Sequence, residues 1–206
     1  MACRWIIGAG AALERAHESW CRSFPDSKIE KIPLVQNAQY EFDLEPLNAI
    51  SPGEGSAFVA FDERFGNFKR VELMQAAMER GFKLASFVSP RAMVAGGVRI
   101  GPNAFVGDGA IVGHGCRIDY NCFLLPGVCL GSDVHLRASC WLESAVVVGD
   151  GAQIGAHSIL RSGALVAAGV QVGRGCELGW PRRYDKDIAA KTVYDPRYDA
   201  PIHVYG

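Results

Sequence analysis

The sequence predicts a three-sided column of short stacked strands behind a small parallel α/β unit. Three observations carry that prediction: a six-residue repeat, an alternation of strand-like and helix-like segments ahead of it, and a break into polar, aromatic, Pro-containing sequence behind it. Stepping by six from Val88 to Leu178 meets sixteen positions, and each is Val, Ile or Leu. A second step of six, from Ala92 to Cys176, meets only small residues or Val. The residue after the aliphatic position is most often Gly, as at Gly101, Gly107, Gly113, Gly131, Gly149, Gly155, Gly173 and Gly179.

An α-helix repeats every 3.6 residues and a strand every 2, so neither holds a phase of six. A prism does. Each hexad reads as one flat strand plus one corner. The aliphatic residue and the small residue two before it point inward, and three hexads close a triangular turn. Turns stack at about 4.8 Å, so five of them make a column roughly 24 Å tall. The corners are assigned to the glycines that follow the aliphatic positions, where unusual backbone angles are tolerated.

Ahead of the repeat, "RWIIGAGA" reads as a strand running into glycines, and "ALERAHESWCRSF" has helical spacing through Leu13, His17 and Trp20. "NAISPGEGS" is a turn-rich loop and "SAFVAFDE" a buried strand. "FKRVELMQAAMERG" is a helix closed by Gly81, and "FKLASFV" leads into the column. The domains are therefore 1–86, α/β; 87–180, column; and 181–206, an irregular tail. "GAGAA" after a strand is a weak dinucleotide signal, and a tight strand–helix turn explains it more simply.

Composition removes several function classes. The 206 residues are 49% apolar and 21% charged, with a formal net charge of -1. No basic block marks a nucleic-acid surface, and no apolar run has the length to insert in a membrane. The N-terminus makes a poor secretory signal because Glu14 and Glu18 follow its apolar stretch, so a cytoplasmic protein is expected. Seven cysteines form no Cys-x-x-Cys pair. Cys116, Cys122, Cys140 and Cys176 fall on the small-residue step and read as core, not as ligands or nucleophiles.

"AFVAF", "GFKLASFVSPRAMV", "IVGHGCRI", "SILRSGA" and "LGWPRR" together resemble the hexapeptide-repeat acyltransferases. The branch is that of the sialic-acid O-acetyltransferases and nucleotide-amino-sugar N-acetyltransferases. The resemblance implies a small Rossmann-like α/β domain followed by a left-handed parallel β-helix. The handedness comes from the resemblance, since ordinary crossovers are right-handed. It also implies a homotrimer with acetyl-CoA in the groove between adjacent columns, no metal, and a small-molecule sugar or nucleotide-sugar acceptor. That acceptor would take the acetyl group on an amine or hydroxyl, in surface polysaccharide or glycan synthesis. The family's general base corresponds to His114, with Gly113 and Gly115 beside it leaving room for substrate. Ser144, Ser162, Gly163, Trp180, Arg182 and Arg183 correspond to the coenzyme contacts, and Gly8 and Gly10 to the acceptor-binding turn.

Two departures stand out. Relatives carry Glu after the histidine to orient its ring, but this chain has Gly115, so Asp108, Asp119 or a backbone carbonyl is needed instead. In the Gly-rich turn, Ala11, Ala12 and Leu13 follow Gly10, and a bulky Leu13 is expected to hinder a phosphate. Among the other histidines, His135 falls on an outer face and His157 on a solvated corner near the coenzyme segment. His17 and His203 carry no signal. No two of His114, His135 and His157 are five apart, the spacing a zinc hydratase of this fold resembles. A non-catalytic scaffold is the rival reading. Trp180 fits both adenine stacking and a cap over the open end of the column.

Overall fold

In a computed structural model, the chain divides into two compact units, Met1–Phe87 and Val88–Gly206, and the structure describes residues 3–204. The first unit is a parallel sheet flanked by helices. Strand β1 (Cys3–Gly8) lies between β2 (Ile29–Pro33) and β3 (Gly55–Ala60). Helix α1 (Gly10–Ser23) buries Ala12, Leu13, Ala16 and Trp20. A one-turn α2 (Glu45–Asn48) follows, and α3 (Phe68–Glu79) buries Leu73, Met74 and Ala77. Both glycines of the β1–α1 turn have local reasons. A side chain on Gly8 would collide with the Ala60 carbonyl, and Gly10 adopts φ +62°. Leu13 is buried to 2% exposure, so it points into the core and does not obstruct the turn as the sequence suggested.

The second unit is the β-helix. Its two-residue strands fall into sheets of eight, six and five, paired parallel at a step of eighteen residues, as in Ile111 with Cys129 and Cys129 with Val147. The inward aliphatic positions from Val106 to Leu178 are at most 4% exposed. Each such side chain contributes about 1.5–3 kcal/mol when fully withdrawn from water. The inward cysteines sit among them. Cys116 donates its S–H to the Gly131 carbonyl and Cys122 to the Arg137 carbonyl, each one turn above. Burial pushes the Cys116 and Cys176 thiols up, away from the reactive thiolate form.

The corners differ from the sequence reading in one respect. The left-handed residue comes two places after the glycine that follows the aliphatic position. Gly97, Asn103, Gly109, Gly115, Asn121, Gly127, Asp133, Ser139, Ala145, Gly151, His157, Gly163, Gly169 and Gly175 all take positive φ in an unbroken phase of six. The earlier glycines serve packing instead. A Cβ on Gly113 would stand 2.5 Å from the Gly131 carbonyl, and one on Gly155 would meet the backbone of Gly173.

The tail is not irregular. Arg183–Tyr184 pairs with Leu165–Val166, Ile188 bridges to Val172, and Thr192–Tyr194 pairs with the strand above Ile159–Leu160. These add a further turn, and Tyr184 and Ile188 join the core.

Glycine chemistry can be checked directly. Gly155→Ala should cost about 3 kcal/mol through backbone collision. Gly151→Ala, at φ +67° with open space around it, should cost only about 1 kcal/mol. Urea denaturation of the two variants measures the difference, and equal losses would refute the packing explanation.

Candidate active site

His114 and Gly115 form the central pair of one corner, with Gly115 at φ +71°. The imidazole is exposed and lies over the glycines one turn below. A Cβ on Gly97 would stand 3.4 Å from its Cε1, and one on Gly96 3.8 Å from its Nδ1. The backbone of the corner is fixed from the turn above, where the Asp133 N–H donates to the His114 carbonyl at 2.7 Å. Within the described residues, no hydrogen bond engages either ring nitrogen. The ring is thus held by its backbone and left open at its polar atoms.

The two acids expected to orient the ring are engaged elsewhere. Asp108 accepts from Ser89 Oγ at 2.6 Å and faces Arg91, and Asp119 pairs with His135 Nε2 at 3.1 Å. Sequence reasoning missed Asp133. Its carboxylate occupies the space that a side chain at position 115 would need. A side chain at 115 would have to adopt the left-handed angle and displace this carboxylate, and glycine needs neither. The available signal was the step of eighteen from Gly115 to Asp133, which sets one above the other.

The coenzyme candidates gather on another corner. Ser144, Ser162 and Trp180 are eighteen residues apart, and Pro181 closes on Gly163, where a Cβ would come within 2.9 Å. Ser144 is exposed. The Ser162 N–H and hydroxyl both donate to Glu143, at 2.9 and 3.3 Å. Arg161 bridges Glu143 and Glu177 at 2.7 and 2.8 Å. Burial works to raise the Glu143 carboxyl, but hydrogen bonds from Arg161 and the Ser162 amide outweigh it and hold the group below its ordinary range. Trp180 packs on the core, donates its indole N–H to the Asp195 carbonyl at 2.8 Å, and is covered by Arg182 at 4.6 Å. Arg183 stays exposed.

His157 lies on the third corner, partly buried at φ 63°, above a ladder in which Asn103 donates to Asn121 and Asn121 to Ser139. Outside the column, His17 Nε2 lies 3.5 Å from Cys21 Sγ, and His203 Nδ1 3.2 Å from the Thr192 hydroxyl. Among the described residues, no cluster of His, Cys, Asp and Glu could hold a metal ion, and no helix is long and apolar enough to cross a membrane.

The three faces between corners are chemically distinct. Met93, Ile111, Cys129, Val147 and Leu165 point outward between the Ser144–Ser162 corner and the His114 corner. Arg99, Arg117, His135, Gln153 and Gln171 follow beyond His114. The third face stacks the buried rings of Phe105, Phe123 and Trp141 at 5.5 and 5.2 Å.

One family model, the GMPPB C-terminal domain, matches residues 83–178. No curated protein matches the chain. Among solved structures, PerB from Caulobacter crescentus, in complex with CoA and GDP-perosamine, is 25% identical with a TM-score of 0.78, over 94% of this chain and 93% of that one. The acetyltransferase domain of PglB from Neisseria gonorrhoeae, in complex with acetyl coenzyme A, is 22% identical with a TM-score of 0.49, over 98% and 99%. WeeI from Acinetobacter baumannii is 13% identical with a TM-score of 0.50, over 97% and 100%, a likeness of fold. In its hexad repeat, its three-sided coil and the α/β unit that precedes it, the chain has the left-handed β-helix fold and is similar over nearly its whole length to PerB.

Proposed function

We propose that the chain transfers an acetyl group from acetyl-CoA to an amine or hydroxyl of a sugar or nucleotide-sugar, with His114 as general base. One observation carries this reading: an exposed imidazole with no partner, fixed on a glycine-lined corner of a column like that of PerB, which binds CoA and GDP-perosamine. An imidazole can take a proton near neutral pH. His114 removes the proton from the acceptor as its nitrogen or oxygen attacks the thioester carbonyl. The tetrahedral intermediate then collapses, the carbon–sulfur bond breaks, and the departing thiolate takes the proton from the imidazolium. No acyl-enzyme is formed. Asp133, whose carboxylate lies against Gly115, is assigned to orienting the ring from the turn above. Gly8 and Gly10 take no part in this reading, because packing and backbone angle account for both.

The reading requires a homotrimer. Met93 is 61% exposed, Ile111 41% and Val147 38%, which is a continuous apolar stripe that a free column would leave in water. The stripe is bounded by the His114 corner on one side and the Ser144–Ser162 corner on the other. Copies that meet through it bring the imidazole of one chain to the coenzyme corner of its neighbour. A cytoplasmic location fits the seven free cysteines.

His114→Ala should lower acetyl transfer, followed as free thiol release, by 10² to about 10⁴-fold while coenzyme affinity stays within a factor of two or so. Unchanged turnover would assign the proton to another group, and a scaffold would release no thiol with any sugar. Asp133→Asn suits the left-handed backbone and should keep the fold while lowering turnover about tenfold or more. An unaltered rate would remove Asp133 from the mechanism. Val147→Lys should reduce the mass in sedimentation to that of a single chain and abolish turnover. A trimer that survives it would place the interface elsewhere.

A further inference from the structure

Beside the His114 corner, the next face carries a groove of about 420 Å³ lined by Arg99, Arg117, Asp119, Tyr120 and His135, among others. Arg99 and Arg117 are register partners in adjacent turns, so their guanidinium stems start about 4.8 Å apart. Like charges directly opposite one another destabilise a sheet. No carboxylate within the described residues relieves this pair. Asp119 is the one acid in the lining, and it faces His135 Nε2 at 3.1 Å. Two arginines against the single Asp119 leave the groove with an excess of positive charge. Tyr120, 41% exposed, adds an aromatic face at its edge.

We propose that this groove binds an oxyanion of the acceptor, with Arg99 and Arg117 as a two-rung clamp that determines specificity. The inference rests on the acetyltransferase reading, and it restricts the acceptor to an anionic one. Guanidinium groups match phosphate and carboxylate oxygens two at a time, which turns the repulsion between rungs into a site. Position decides between acceptor and coenzyme. Arg117 is three residues beyond His114, at most about 10 Å of chain. Arg99 is two residues beyond Gly97, over which the imidazole lies. Both rungs stand at the level of the base. The coenzyme's own phosphates are separated from its thioester by the whole pantetheine arm and cannot lie there while the thioester reacts at His114. The occupant is then a sugar phosphate, as in a sugar nucleotide, or a sugar carboxylate.

Titration calorimetry of the full chain with GDP, UDP, N-acetylneuraminate and neutral glucosamine tests this. Wild type should bind at least one of the three anions, more weakly as salt rises, and in preference to glucosamine. Arg99→Gln with Arg117→Gln should lower that affinity at least tenfold, leave coenzyme A affinity unchanged, and leave the melting temperature the same or higher. Loss confined to GDP and UDP identifies a phosphate source, and loss confined to N-acetylneuraminate a carboxylate. Anion affinity equal in wild type and variant, or no anion bound by wild type, overturns the clamp. The two readings fail separately. Acetyl transfer with an unaltered acceptor KM in the double variant sinks the clamp alone, whereas arginine-dependent anion binding without thiol release sinks the acetyltransferase alone.

Discussion

The stacking of one turn's backbone on the next governs this molecule. From Phe87 to Tyr184 each strand of the column is two residues long, so little pairing is local, and most strand N–H groups find a carbonyl about eighteen residues away. That lattice holds one spacing from Val88 to Tyr184. It therefore dictates where a side chain is allowed at all. Gly113, Gly149 and Gly155 have none because the next turn's backbone fills the space, and at Gly115 the Asp133 carboxylate takes the room. The hydrophobic core is the consequence of this geometry as much as its cause. Inward positions admit only side chains that fit between layers, which explains why Cys, Ala and Val interchange there.

A lattice this uniform would be inert if its three faces were alike. They are not. Steps of eighteen residues assemble an apolar stripe, a cationic groove and an aromatic stack from one repeating unit. Chemistry is thus written in the eighteen-residue period, and the fold in the six-residue one. The two periods are independent, because outward positions do not affect whether the column closes. This is why a close likeness of fold leaves the acceptor undetermined, and why the like-charged rungs at Arg99 and Arg117 carry information that the core does not.

Much of this was legible in the sequence, and the exceptions have physical causes. The hexad phase gave the column because inward residues are under the strictest selection by volume. The corner was misplaced by two residues because glycine is used for two purposes, close stacking and the left-handed angle, and the two look the same in sequence. Asn103, Asn121, Asp133 and Ser139, which also tolerate the left-handed angle, hid the true phase. The last turn was read as irregular for a different reason. Tyr184 keeps the six-residue step from Leu178 but is not aliphatic. Ile188 then pairs with Val172 and Tyr194 with Leu178, sixteen residues apart instead of eighteen. A corner shortened by two residues conceals a turn from any count that assumes a constant period. Asp133 was missed because its relation to His114 exists only between layers.

The open ring nitrogens of His114 follow from the same constraint. A side chain on a corner of a rigid column can be partnered only by the turn above, the turn below or another molecule. Below are Gly96 and Gly97, which offer no side chain, and above is Asp133, whose backbone holds the corner. The chain thus leaves this exposed imidazole without a lateral neighbour, on the boundary of the apolar stripe of Met93, Ile111 and Val147. Burying that stripe against a second copy would exclude water from the imidazole's surroundings on one side while the glycines keep the other side open. Under the proposed function, association and catalysis are not separable on this surface. The side chains that would drive the columns together would also set the distance between base and thioester, and a looser interface would show itself first as lost turnover, before any loss of fold.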